Sequence, residues 1–101
     1  MLRISQMERK IMKKVIITVV GKDCVGIIAR VCTYLASRKI NILDISQTIV
    51  SGFFNMMMIA DMGDCDMHFE GVENELEALG GEIGVSIRIQ REEIFDMMHR
   101  I

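Results

Sequence analysis

From Val15 to Val20 every residue is β-branched (Val-Ile-Ile-Thr-Val-Val), and the run ends on Gly21. β-Branched side chains crowd a helix and suit a pleated strand, so this segment reads as a strand. Apolar residues fall on both parities, so both faces must be covered, which puts the strand in the middle of a sheet. The chain leaves it through Gly21-Lys22-Asp23-Cys24-Val25-Gly26, a turn bracketed by glycines, and enters Ile27-Ile28-Ala29-Arg30. Ile28, Val31, Cys32 and Leu35 recur at helical spacing, which predicts a helix from Val25 to Arg38.

The remaining segments complete a recognisable order. Ile40 to Val50 is a second strand, with Leu43, Ile45 and Ile49 on one parity and Ile42 on the other, a mismatch that predicts a bulge. Ser51-Gly52 turns the chain into a third strand, Phe53 to Met62, forming a hairpin. Met56-Met57-Met58 populates both faces of that strand. Gly63 breaks it, Asp64 or Asp66 is placed to cap a second helix carrying Phe69, Val72, Leu76 and Leu79, and Gly80-Gly81 is expected to end it. Val85 to Gln90 alternates as a fourth strand, and Glu92 to Ile101 carries Ile94, Met97, Met98 and Ile101 on one helical stripe. The order β-α-β-β-α-β specifies an α+β, ferredoxin-like sandwich, with two helices on one face of an antiparallel sheet and a C-terminal helix beyond it. Strands one and three are then central. Alternate residues of Val15–Val20 and Phe53–Met62 form an apolar surface on the face away from the helices, which dimerisation would cover.

Residues 1–11 read as an N-terminal extension, residues 12–91 as the domain and 92–101 as the C-terminal helix. Met12 is the expected initiator, because Glu8-Arg9-Lys10 can be encoded by an unbroken purine run of the kind a bacterial ribosome-binding site requires. Mass spectrometry of the native protein tests this, and a chain beginning at Met1 contradicts it.

Composition narrows the function classes. The chain has 101 residues and a net charge of −2. Removing the +2 of the first eleven residues (Arg3, Arg9 and Lys10 against Glu8) leaves −4, the wrong sign for a nucleic-acid surface. No apolar run approaches the ~20 residues of a membrane-spanning helix, and the N-terminal dozen lacks a signal-like apolar stretch, so a cytoplasmic protein without membrane contact is expected. Cys24, Cys32 and Cys65 read as free thiols, with Cys32 in the core.

With these segments in place, Gly21-x-Asp23-x-x-Gly26-Ile27-Ile28-Ala29, then Leu35-Ala36, then Ile40-Asn41-Ile42 resembles the core motif of the ACT domain, the small-molecule-binding regulatory module of amino-acid metabolism. The resemblance runs from residue 13 to about 91. It is nearest to the stand-alone bacterial ACT proteins akin to glycine-cleavage regulators. Val25 stands where many ACT domains carry proline. The resemblance implies homodimers, side by side or face to face, that bind amino acids near the turn after strand one, often at the interface. It implies no catalysis and no cofactor. By similarity, Asp23 and Asn41 occupy ligand-contacting positions and Gly26 allows close approach.

The residues permit the same reading. The N–H groups around Cys24, Val25, Gly26 and Ile27 suit a carboxylate, while Asp23 and the side-chain carbonyl of Asn41 suit an ammonium. Asp23 and Asn41 are expected at one end of the sheet, with Gly21 shaping the turn and Gln47 as a further pocket wall. The bland readings are helix capping for Asp23, loop satisfaction for Asn41 and simple turn roles for Gly21 and Gly26.

Other chemistry fits less well. An acylphosphatase-like phosphate loop could enlist Arg30, but Asp23 would put a negative charge inside the cradle. Phe53 and Phe54 could stack RNA bases, yet neighbours on a strand point to opposite faces. Cys65-x-x-His68 lacks the second ligand pair of a metal site, and Cys24 has no histidine near in sequence to act as base. The leading expectation is a non-catalytic homodimer that senses an amino acid or related metabolite. The alternative is a ligand-free dimer acting through a protein partner.

Overall fold

Six elements run in the order β1 (Lys14–Lys22), α1 (Ile27–Ser37), β2 (Asn41–Val50), β3 (Phe53–Asp61), α2 (Phe69–Ile83) and β4 (Val85–Arg91). They come from a computed structural model that describes residues 13–22 and 26–92. The N-terminal extension, Asp23-Cys24-Val25 and the expected terminal helix beyond Glu92 lie outside the described residues. The sheet order is β2-β3-β1-β4, all antiparallel, with β1 and β3 at the centre as the ferredoxin-like plan requires.

Parity explains the core. Val15, Ile17 and Val19 of β1 lie opposite Ala60, Met58 and Met56 of β3, and Ile17 and Val19 also face Ile89 and Ile87 of β4. All are buried against Ile27, Val31 and Leu35 of α1 and Val72 and Leu76 of α2. The two helices are also tied by charge. Arg38, which ends α1, donates two hydrogen bonds to Glu75 of α2 at 2.9 and 2.8 Å, and Arg30 donates to Glu82. As the α1 residue rises from 30 to 38 its partner falls from 82 to 75, so the helices run antiparallel.

The bulge lies where the parity mismatch requires. Ile42 faces Ala60 and Asp44 faces Ile59, leaving Leu43 as the extra residue. The boundaries of α2 differ from expectation at both ends. Neither Asp64 nor Asp66 caps it: Asp61 accepts from Gly63 N, Cys65 N donates to Met62 O, and this turn delays the helix until His68 can serve as N-cap. At the other end, Gly80 and Gly81 lie inside the helix. A Cβ on Gly80 would sit 2.6 Å from the carbonyl oxygen of Val85, so glycine there allows α2 to lie close on β4. Gly84, at φ 81°, supplies the left-handed cap. Cys32, expected in the core, is only half-buried on α1.

The apolar residues on the face away from the helices are unequally exposed. Val20, Phe53 and Met57 are exposed there, but Ile59 is half-buried and Ile16 is buried. Phe54 is core, so Phe53 is the single ring of that pair on the open face.

Candidate functional site

The β1–α1 turn begins at Gly21, and its two glycines serve different ends. A Cβ on Gly21 would meet the Val85 side chain at 2.7 Å and its Cα at 3.1 Å, so this glycine lets β1 and β4 approach. Gly26 has φ 90° and ψ 0°, a left-handed conformation that disfavours a side chain, and a Cβ built there meets nothing within 4 Å. Space is therefore open above Gly26 and closed at Gly21.

Gly26 is also the N-cap of α1 and has no side chain to cap it. Its carbonyl accepts from Arg30 N at 2.9 Å, which begins the helical ladder. The N–H groups of Ile27, Ile28 and Ala29 precede that first bond and have no acceptor within the helix. The Ile27 side chain is buried in the core, so this residue offers a ligand only its backbone. Arg30 pairs with Glu82 across the helix layer, away from the role a phosphate loop would give it.

Asn41 does not join this group within one chain. It faces Asp61, which faces Lys14, so it lies at the start of β1, whereas Gly21 faces Phe54, which faces Ile49. The expectation that both ends of the motif share one end of the sheet is therefore corrected. β2 and β1 run in the same direction, because each is antiparallel to β3, and the first residue of one cannot sit beside the last residue of the other. Ten residues at ~3.3 Å each make β2 about 30 Å long. Gln47 faces Met56 and lies level with Val19, two positions from the Gly21 level, exposed on the strand.

β2 itself is the feature that the motif reading passed over. Leu43, Ile45, Ile49 and Val50 are between 41% and 61% exposed, although Ile45 and Ile49 face buried Met58 and Phe54 of β3. The helices leave this margin of the sheet uncovered, and the outer edge of β2 pairs with no strand among the described residues. The 2-3-1-4 order implies an edge at β2, and the apolar residues on it were the available signal.

Near the other end of the helix layer, Tyr34 donates to Glu75 at 2.6 Å, beside the Arg38 pair. Burial and the neighbouring carboxylate push the phenol well above its usual range. Hydrogen bonds from Tyr34 and then Arg38 hold the Glu75 carboxyl below its usual value. This trio fastens α1 to α2 and lies away from the turn. No group of three or more metal-ligating side chains occurs among the described residues, and none of the helices described is long and apolar enough to cross a membrane.

Residues 13–90 match the family model of the ACT domain. The chain belongs to the ACT domain family. A UPF0237 protein of Bifidobacterium longum is 63% identical over 90 residues, covering 89% of this chain and all of that protein. The solved ACT domain protein from Streptococcus pneumoniae is 44% identical with a TM-score of 0.74, over 83% of this chain and 94% of that one. A putative glycine cleavage system transcriptional repressor shares the fold, at 23% identity and a TM-score of 0.69, over 80% of this chain and 46% of that one. In this ACT domain the strand–turn–helix of the motif is the segment around Gly26.

Proposed function

We propose that this ACT domain is a non-catalytic regulatory module that works as a homodimer and senses an amino acid or related small metabolite at the turn after β1. Membership of the ACT family supports a small-molecule-sensing regulatory role. The open space above Gly26 and the uncapped first turn of α1 suit a ligand carboxylate. Gly26 and the backbone of Ile27 contribute to the site, together with Asp23, Cys24 and Val25 of the same turn. Gly21 shapes the turn through its packing, and Gln47 is a wall.

The observation that carries the dimer is the exposed apolar edge of β2. A long, apolar, unpaired edge strand is a template for pairing with another chain. Two copies joined by a two-fold axis along this edge run their β2 strands antiparallel. Asn41 of the partner subunit would then lie toward the Val50 end of β2, the end that holds Gly21 and Gly26. The dimer thus brings the partner's Asn41 to the end of the sheet that holds Gly21 and Gly26, whereas within one chain the two lie about 30 Å apart along the strands.

A thermal-shift screen against the twenty amino acids and common one-carbon metabolites tests this. A ligand at a hundred times its dissociation constant adds about 2.7 kcal/mol. In a domain of this size that is a rise on the order of 10 °C. The expected result is at least one amino acid that raises the transition, with the rise lost in Asn41→Ala. No shift across the panel contradicts sensing and favours the ligand-free dimer acting through a protein partner.

A further inference from the structure

A cavity of about 700 Å³ opens at the end of the sheet opposite Gly26, between the start of β1, the end of β4 and the connection from β3 into α2. Its volume falls within the ~300–1,000 Å³ of small-molecule sites. Val15 and Met62, both buried, contribute its apolar floor, together with half-buried Met67. Lys13, Lys14 and Arg91 stand around it, against the carboxylates of Glu70 and Glu92, which leaves one positive charge in excess.

Arg91 is the best prepared of these cations. Its guanidinium lies 4.2 Å from the centroid of the Phe69 ring, which fixes its plane while leaving its N–H edge for an acceptor. Among the described residues no carboxylate forms an ion pair with the guanidinium of Arg91 or with the ammonium groups of Lys13 and Lys14, although Asp61 accepts from the backbone N–H of Lys13. Arg30 and Arg38 have each found a glutamate partner. A planar cation held against an aromatic ring, above an apolar floor and without a carboxylate partner among the described residues, suits a planar anion that carries an apolar body. We infer that this cavity is a second binding site, for a small carboxylate with an apolar or aromatic body, separate from the β1–α1 turn and independent of the sensing role proposed for it. The carboxylate lies on Arg91 with Lys13 or Lys14 beside it, and the body rests on Val15, Met62 and Met67. An α-ammonium would add to the positive excess, so a simple acid fits better than an amino acid.

The test is a ¹H–¹⁵N NMR titration of the full chain with phenylacetate. Saturating shifts are expected at Val15, at residues 65–70 and at Arg91. Arg91→Gln is expected to weaken binding about tenfold, the loss of one charge-assisted contact, while its spectrum reports that the fold is intact. The amides of Gly26 and Ile27 are expected to keep their positions throughout the titration, which separates this site from the turn. Absent or non-saturating shifts, or shifts centred elsewhere, overturn the site. Equal binding of neutral phenylacetamide overturns the role of the cations, and the same shifts with inorganic phosphate reduce it to diffuse surface charge. Equal or tighter binding of L-phenylalanine would assign Glu70 or Glu92 to an ammonium and overturn the ligand class.

Discussion

Gly21 and Gly26 sit five positions apart in one motif and are constrained by different physics. At Gly21 the constraint is volume, since a methyl group there overlaps Val85. Gly21→Ala is therefore expected to lower stability by about 1–3 kcal/mol, the usual cost of overpacking. Chemical denaturation of Gly21→Ala, Val85→Ala and the double variant checks the cause: the double variant is expected to lose less than the two singles together. At Gly26 the constraint is the backbone, and Gly26→Ala is expected to cost about 1–2 kcal/mol, the penalty of the left-handed region, with no rescue from a neighbour. The sequence announces that both glycines matter, because a strand, a glycine-bracketed turn and a helix follow one another. It does not tell them apart, because the partner of Gly21 is Val85, reached only once β4 has paired with β1.

Helix α1 is held to α2 by pairs that titrate. The Glu75 carboxylate is stabilised by hydrogen bonds from Tyr34 and Arg38, so its folded pKa lies below its unfolded value of about 4.3. The unfolded chain then binds more protons in that window, and stability rises with pH through it. The contribution is fully present above the unfolded pKa and is lost as pH falls through the folded one. Urea midpoints of the wild type and Glu75→Gln are accordingly expected to differ at pH 7 and to converge as pH drops below about 4. A gap that does not narrow as pH falls below about 4.3 would show that the carboxylate charge is not what stabilises the contact. The element boundaries carry the same lesson about legibility. The bulge in β2 was readable, because Ile42 and Ile45 fall on different parities and both are apolar. The late start of α2 was not, because Asp61 spends its carboxylate on Gly63 N and on Lys13 N, and the second contact exists only after β3 has paired with β1.

At the scale of the molecule, the ferredoxin-like order was legible because apolar residues on both parities mark β1 and β3 as central. The site was legible only in part. Asn41 is a fixed distance along the sequence from Gly26, but the direction of β2 carries it to the far end of the sheet. A second copy along β2 is the proposed remedy, and it makes the edge testable. Ile49→Lys puts a charge on the exposed edge, where Ile49 is 58% accessible. Light scattering is expected to report a dimer for the wild type and a monomer for Ile49→Lys, with little change in the fold. A wild-type monomer at micromolar concentration would remove the edge-paired dimer.

A ligand site built by two chains, as proposed, must be restored when two differently defective variants are mixed. Asp23→Ala disables the turn and Asn41→Ala disables the partner's contribution, so neither homodimer is expected to bind the amino acid found by screening. In a mixed dimer, one of the two sites combines the intact turn of one subunit with the intact Asn41 of the other. Random exchange of subunits is therefore expected to restore about a quarter of wild-type sites, read by calorimetric stoichiometry. No recovery in a mixture shown to exchange subunits would contradict the shared site, and would return both residues to roles within a single chain.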